Sequence, residues 1–439
     1  MKPIGYARSR EYWYRFGWGS LMGLLGAIAA FIYIVIVHGI EHVLWHDTMP
    51  ITPFSGPFKI VIITTIAGFL VGLIHKLLPT EEVDVFGAIP KGDMPLTHSN
   101  GAILASIASL VGGFPLGPEA PTGIVAGSLG IWISRNRRLP REILRTNLFS
   151  SVAGAFSGLF TAPFGVILMG FELKHKQSPY YYGTLAIVAV SSLLGFLVFY
   201  TVGGDRFSAV LRLLELPAYQ LEQWHILAAV LLGIVAVIFA FLFAFLTKAL
   251  HQMMAPFHDK PIIRCTGIGL LIGLLGMAMP LTLFLGSEGL LEVVEGRTEL
   301  TIGFLLIAAG LKIFALAVVL SAGFIGGPIF PLFFVGGTVG VILWKIFPGI
   351  PIMMAVGCMM AAVPCALVPF PATLAVIVLL ITATPVVNAI PVLTAAMTAQ
   401  LVLKGILLKN PEAVHDIDAA LQETEEVDPA TLVRRSPSP

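Results

Sequence analysis

The chain has 439 residues, of which 57% are hydrophobic and only 12% charged, about half the roughly 25% usual in a soluble domain. That balance places it in a bilayer and excludes a soluble globular enzyme. A net charge of +1 leaves no basic excess for nucleic acid, and Cys265, Cys358 and Cys365 sit in or beside apolar runs, where buried free thiols are the default and a metal site is not expected.

Residues 1–15 carry Lys2, Arg8, Arg10 and Arg15 ahead of an apolar run from Phe16 to Ile40 that is too long for a signal-peptide core. This predicts a first spanning helix with a cytoplasmic N-terminus. Glu41 to Gly56 holds no Lys or Arg, as suits an outer loop, and His42 and His46 beside Trp45 read as interfacial rather than metal-binding. Pro57 to Leu78 returns inward. The basic clusters Arg135, Arg137, Arg138, Arg141 and Arg145, then Lys174 and Lys176, then Lys248, Lys260 and Arg264, are predicted to be cytoplasmic. Asn147 to Glu172 must therefore leave and re-enter on one side. Those 26 residues (172 − 147 + 1) are too few for two spans of about 20, so they predict two shorter helices broken at Thr161-Ala162-Pro163. Simple spans are predicted at Tyr182 to Val202, His225 to Leu250, Thr266 to Leu285 and Thr301 to Leu320. Between Asp84 and Ile133, and between Ser321 and Leu408, apolar runs are short and cut by Gly or Pro; such irregular backbone survives at membrane depth only under protein cover or beside a watered cavity. Past Asn410 an acidic tail with Glu412, Asp416 and Asp418 predicts a solvated cytoplasmic helix ending in a frayed segment at Arg434 and Arg435.

Two of the breaks say nearly the same thing. Gly113-Phe-Pro-Leu-Gly-Pro-Glu-Ala-Pro121 and Gly323-Phe-Ile-Gly-Gly-Pro-Ile-Phe-Pro331 share Gly, Phe, Gly, Pro and Pro at an offset of 210 (323 − 113). The chain therefore reads as two copies of one membrane unit, 16–203 and 224–408, joined by a loop at 204–223 and flanked by cytoplasmic ends at 1–15 and 409–439. Matched interruptions of this kind point to a transporter-type site, where helix ends meet near the bilayer midplane.

A helix start leaves about four N–H groups unpaired and carries roughly half a positive charge, so it attracts anions without binding them as tightly as a full cation. Pro118 and Pro328 suit the first helical position. The N–H groups of Glu119, Ala120, Ile329 and Phe330 are then free to face a ligand. Glu119 lies inside the first cradle, where its carboxylate would compete with a passing anion. It reads as a gate, against the alternative of a carboxylate capping its own helix. Lys312, inside an apolar span, is either a fixed charge that draws anions inward or a tie to backbone carbonyls.

These residues resemble the CLC family of chloride channels and proton-coupled chloride exchangers. Gly117-Pro-Glu-Ala-Pro121 is similar to its Gly-Arg-Glu-Gly-Pro segment, which puts Glu119 on the gating glutamate. Gly326-Gly-Pro-Ile-Phe-Pro331 is similar to its Gly-x-Phe-x-Pro segment, and Gly87-Ala-Ile-Pro90 to the end of its Gly-Ser-Gly-Ile-Pro segment. The likeness runs from about residue 16 to 408, and a bacterial branch of ion-transport proteins shares the Gly-Pro-Glu form. The resemblance implies an all-α membrane protein of two inverted-topology repeats with broken, tilted and re-entrant helices, paired as a homodimer in the inner membrane. It implies an anion site at Gly117, Pro118, Glu119, Ala120 and Pro121, at Gly327, Pro328, Ile329, Phe330 and Pro331, and at Gly87, Ala88 and Ile89. It calls for no cofactor.

Departures bear on mechanism. Gly87 replaces the family's serine, Phe330 stands one position late, and no tyrosine follows Tyr219 to serve as the central pore tyrosine. The exchangers' proton-transfer glutamate falls on Leu173, with Glu172 beside it but turned about 100° away on a helix. The expectation is passive transport of chloride or a similar small anion, gated by Glu119. A proton-coupled exchanger fed through Glu172 or water stays open, as does a carrier of larger organic anions. An enzyme using Glu119 as a base lacks a partner, since no His-Glu-x-x-His, Gly-x-Ser-x-Gly or paired aspartates lie in the spans.

Overall fold

A computed structural model of the chain describes residues 9–45, 58–80, 83–173, 181–204, 214 and 216–409. The acidic tail, His46, Lys174, Lys176 and half of the linker between the halves lie outside the described residues. Those described form sixteen α-helices and no strand. The first eight are α1 (Arg10–Trp45), α2 (Phe58–Leu77), α3 (Val85–Lys91), α4 (Leu96–Val111), α5 (Glu119–Asn136), α6 (Arg141–Leu159), α7 (Pro163–Glu172) and α8 (Tyr181–Gly203). The second eight are α9 (Gln223–Met254), α10 (Pro261–Ala278), α11 (Ser287–Glu295), α12 (Ile302–Ser321), α13 (Ile329–Ile346), α14 (Ile352–Cys365), α15 (Pro371–Ile381) and α16 (Ala389–Lys409). Eight helices among the described residues are long and apolar enough to cross a membrane.

The halves are built alike. In the first, α1 packs on α4, α6 and α8, α5 on α4 and α6, and α8 on α6 and α7; adding eight to every label gives the pairings of the second. The two halves meet at α2 with α10 and at α7 with α15, again helices eight apart. An internal two-fold relation produces this pattern, since an element on the axis touches its own copy. Small residues permit the approach at the first junction: a Cβ on Gly72 would lie 2.6 Å from Ile262 Cα, and one on Gly68 would overlap Cys265 O.

Proline sets several starts, at Pro163, Pro261 and Pro371, where the missing N–H removes no helical bond. The predicted break in 147–172 is found at Phe160 to Ala162, with Thr161 at φ 50°. Three expectations shift. First, α1 runs on through Glu41 and His42 to Trp45, because no Pro or Gly stops it after Gly39. Second, the span predicted to reach Leu285 ends at Ala278, ahead of Pro280, and the chain turns there. Third, the interrupted zone after Ser321 contains two full-length apolar helices, α13 and α16, since glycines inside a well-packed helix serve contact rather than breakage. Along α14 every residue is buried, so the second half supplies the deepest part of the core, while apolar side chains such as Phe245 and Leu227 face outward as a lipid-facing surface requires.

Candidate functional site

The two breaks meet. At each, the chain leaves a helix through a left-handed glycine, Gly113 at φ 76° and Gly323 at φ 82°, a conformation that costs other residues energy. The segments then run antiparallel, and Gly117 and Gly327 exchange both backbone hydrogen bonds, each 2.7 Å. These residues are separated by the repeat offset itself, 327 − 117 = 210, so the internal two-fold passes between them. Phe114 and Phe324, another pair at that offset, have ring centroids 4.3 Å apart.

From this bridge α5 and α13 begin, with Pro118 and Pro328 as their N-caps. Thr122 and Leu332 make the first helical bonds, back to Pro118 O and Pro328 O. Pro121 and Pro331 carry no N–H, so each start offers two amides, those of Glu119 and Ala120 and those of Ile329 and Phe330. Glu119 is 2% exposed, and its Oε1 accepts the Ile329 N–H at 2.7 Å. The amides of Glu119 itself and Phe330 add to the field at the same carboxylate. Its Oε2 is buried with no hydrogen-bond partner among the described residues. A Cβ on Gly117 or Gly327 would overlap the carboxyl group, so the carboxyl in this position leaves no room for a side chain at either glycine. Glu119 thus reaches the start of the helix in the opposite half.

A family model described as voltage gated chloride channel matches residues 81–404. The chain belongs to the CLC family. The ion-transport protein YfeO, a provisional name, is 28% identical over 354 residues in Escherichia coli O7:K1 (strain IAI39 / ExPEC), covering 77% of this chain and 80% of the relative. The Escherichia fergusonii form shows the same identity and coverage. Among solved structures, a slow cyanobacterial Cl−/H+ antiporter aligns with TM-score 0.78 at 16% identity over 94% of this chain and 99% of that one. A CLC-type fluoride/proton antiporter aligns with TM-score 0.69 at 16% identity over 89% and 95%. A eukaryotic CLC transporter gives TM-score 0.75 at 17% identity over 98% and 78%. The fold is therefore the all-α CLC membrane fold, and the two breaks lie inside the matched region.

Against the family pattern, the other expected site residues divide. Gly87, Ala88 and Ile89 lie on the seven-residue α3, whose N-cap Asp84 takes the Gly87 N–H on Oδ1 at 2.9 Å. The Gly87 amide is committed to a carboxylate in its own turn, and Ala88 donates to Asp84 O. No hydrogen bond joins this turn to Glu119 among the described residues. What α3 does bring inward is Phe86, whose ring lies 5.0 Å from Phe370 and 5.7 Å from Phe156.

Lys312 is fully buried, and its Nζ donates to the carbonyls of Leu281, Thr282, Leu283 and Phe284 at 3.2, 3.3, 2.7 and 2.8 Å. Of its two possible roles, the geometry shows the tie. The loop it gathers sends the Phe284 N–H to Gly113 O at 2.9 Å and packs Phe284 against Trp45. In the other half, His75 donates Nε2–H to Gly323 O at 2.8 Å. Both left-handed glycines are thus held by their carbonyls from outside the motif.

Glu172 closes a second junction between the halves. Its Oε1 accepts the Ala372 N–H at 2.7 Å, and its Oε2 accepts the Thr373 N–H at 3.1 Å and Oγ1–H at 2.6 Å, which caps the start of α15. Leu173 beside it is buried. Sequence reasoning missed Asp84, His75, Phe86, Phe160 and Phe370. An Asp three residues ahead of Gly87 was a readable capping signal, whereas nothing local marks the aromatic rings that meet from separate elements.

Proposed function

We propose that this protein carries chloride or a similar small inorganic anion across the membrane, through one pathway per subunit of a homodimer, with Glu119 as the gate. The observation that carries this reading is the Glu119 Oε1 contact with the Ile329 amide at 2.7 Å. A carboxylate is itself an anion, and the place it fills is the start of one helix facing the start of its copy, where partial positive charge is focused without a fixed cation. A permeant anion competes for the same N–H, and displacement of the side chain opens the path. The basic clusters at Arg135 to Arg145 and Lys248 to Arg264 support cytoplasmic termini in an inner membrane.

Passive movement is the favoured form. Leu173 holds the position where the resemblance places a proton-transfer glutamate, and the neighbouring Glu172 has three donors on its carboxylate. Proton-coupled exchange is the second reading, favoured by structural neighbours that are named as Cl−/H+ and fluoride/proton antiporters.

The test is chloride efflux from liposomes containing the purified protein, with internal pH recorded together, for the wild type and Glu119→Gln. Efflux without proton movement, altered in rate by the substitution, is the expected result. Efflux that drives protons in the wild type and loses them in the variant would make it an exchanger. Silence from both, for every small anion tried, would end the anion-transport reading.

A further inference from the structure

Two small cavities touch the first turn of α13, one lined by Ile329 and the other by Phe330. The first, about 20 Å³, is bounded by Ile329, Phe86, Phe156, Phe160, Phe370 and Thr373 among others. Its rings form a continuous wall: Phe86 lies 5.0 Å from Phe370 and 5.7 Å from Phe156, Phe156 lies 5.9 Å from Phe160, and Phe160 stacks on Phe330 at 5.5 Å. Thr373 is the lining residue with a polar side chain, and its hydroxyl is already given to Glu172 at 2.6 Å. The second, also about 20 Å³, is bounded by Phe330, Phe333, Phe334, Leu214 and Met360, with Ser287 supplying its one side-chain hydroxyl among the described residues.

We infer that the pathway selects weakly hydrated anions, so that thiocyanate and nitrate pass ahead of chloride and fluoride comes last. This rests on the anion-transport reading above and adds the class of anion. A space of this size holds about one water, so an ion reaching the α13 amides must shed its shell. The walls return little in exchange: aliphatic groups, and aromatic edges that carry only a partial positive charge. Taking an ion out of water costs more the smaller it is, because the Born penalty grows as radius falls, and a first cavity whose one hydroxyl is already donated to Glu172, with a single serine at the second, leaves that penalty largely uncompensated. The Gly87 amide, committed to Asp84, offers no repayment either. A large, polarisable anion loses least.

The test uses the purified full chain in liposomes loaded in turn with the potassium salts of thiocyanate, nitrate, chloride and fluoride, with efflux triggered by a potassium ionophore and corrected for protein-free vesicles. The expected order is thiocyanate and nitrate fastest, chloride slower and fluoride slowest. Chloride or fluoride running fastest overturns the inference while leaving anion transport standing. No protein-dependent efflux of any salt overturns the transport reading and this inference with it. Phe86→Tyr and, as a second site, Phe370→Tyr place a hydroxyl in the first cavity. Since a hydrogen bond to an ion is among the stronger kinds, the nitrate-to-chloride ratio should fall about tenfold with nitrate efflux retained. An unchanged ratio in a variant that still conducts places this cavity off the path and overturns the inference.

Discussion

Two glutamates of the first half reach across to the start of a helix in the second half, Glu119 to α13 and Glu172 to α15. Glu119 is 2% exposed, with one oxygen on the Ile329 amide and the other without a hydrogen-bond partner among the described residues. Glu172 is half-buried and has three donors shared between its two oxygens. A buried acceptor left unpaired costs about 1–3 kcal/mol, and more when charged, so Glu119 holds its place at a disadvantage that Glu172 does not share. Flanked by two glycines, it fills a space that an anion and its amide partner could fill as well. Under the proposed function, the same chemical device, a carboxylate on a helix start, would serve as a replaceable occupant at one junction and as a latch at the other.

The comparison breaks most easily at the supports of the Glu119 junction. Lys312→Met leaves four carbonyls without their buried donor, and a loss of about 3 kcal/mol is expected, read as a lower melting temperature in detergent together with lost flux. Gly327→Ala comes next: a methyl would overlap the Glu119 carboxyl, an overpacking cost of about 2 kcal/mol, with flux reduced severely. Adding Glu119→Ala to Gly327→Ala should restore flux, because the second change vacates the space that the first invades; failure to restore would place the clash elsewhere.

A smaller effect separates the two carboxylates directly. Glu119→Gln keeps the shape and removes the charge, so the side chain competes less well for the Ile329 amide. Flux should change about tenfold, the size expected for one charge-assisted bond, and lose its dependence on pH. In the wild type, protonating Glu119 removes the same charge, so flux should rise as pH falls. Glu172→Gln is expected to cost only about 1 kcal/mol of stability, as for a lost helix cap, with chloride flux unchanged. A large flux defect in Glu172→Gln without destabilisation would make the two glutamates alike and favour proton coupling.

The breaks at 113–121 and 323–331 were legible because glycine and proline act locally, and their spacing carried the repeat without any knowledge of contacts. Thr161-Ala162-Pro163 was legible for the same reason. The family likeness supplied the inversion, and the bridge between Gly117 and Gly327 gives it a physical form. What stayed hidden was long-range. The partners of Glu172 lie 200 and 201 residues away, and the partner of Glu119 lies 210 away. No local pattern says which helix start a carboxylate will reach. Lys312 illustrates the same limit, since an isolated cation in an apolar span looks alike whether it faces a pore or four carbonyls. The zone after Ser321 is less broken than its Gly and Pro content suggests, because α13 runs on through Gly336 and Gly340, which lie against α14.

The most direct test of the central claim, that Glu119 stands in an anion site, is crystallographic: bromide soaked into wild-type and Glu119→Ala crystals and located by its anomalous signal. The account predicts a bromide within hydrogen-bonding reach of the Ile329 N–H in Glu119→Ala, and none there in the wild type while the carboxylate is bound. An Ile329 amide that binds only water in the variant, with bromide absent from the space between Gly117 and Gly327, would contradict it.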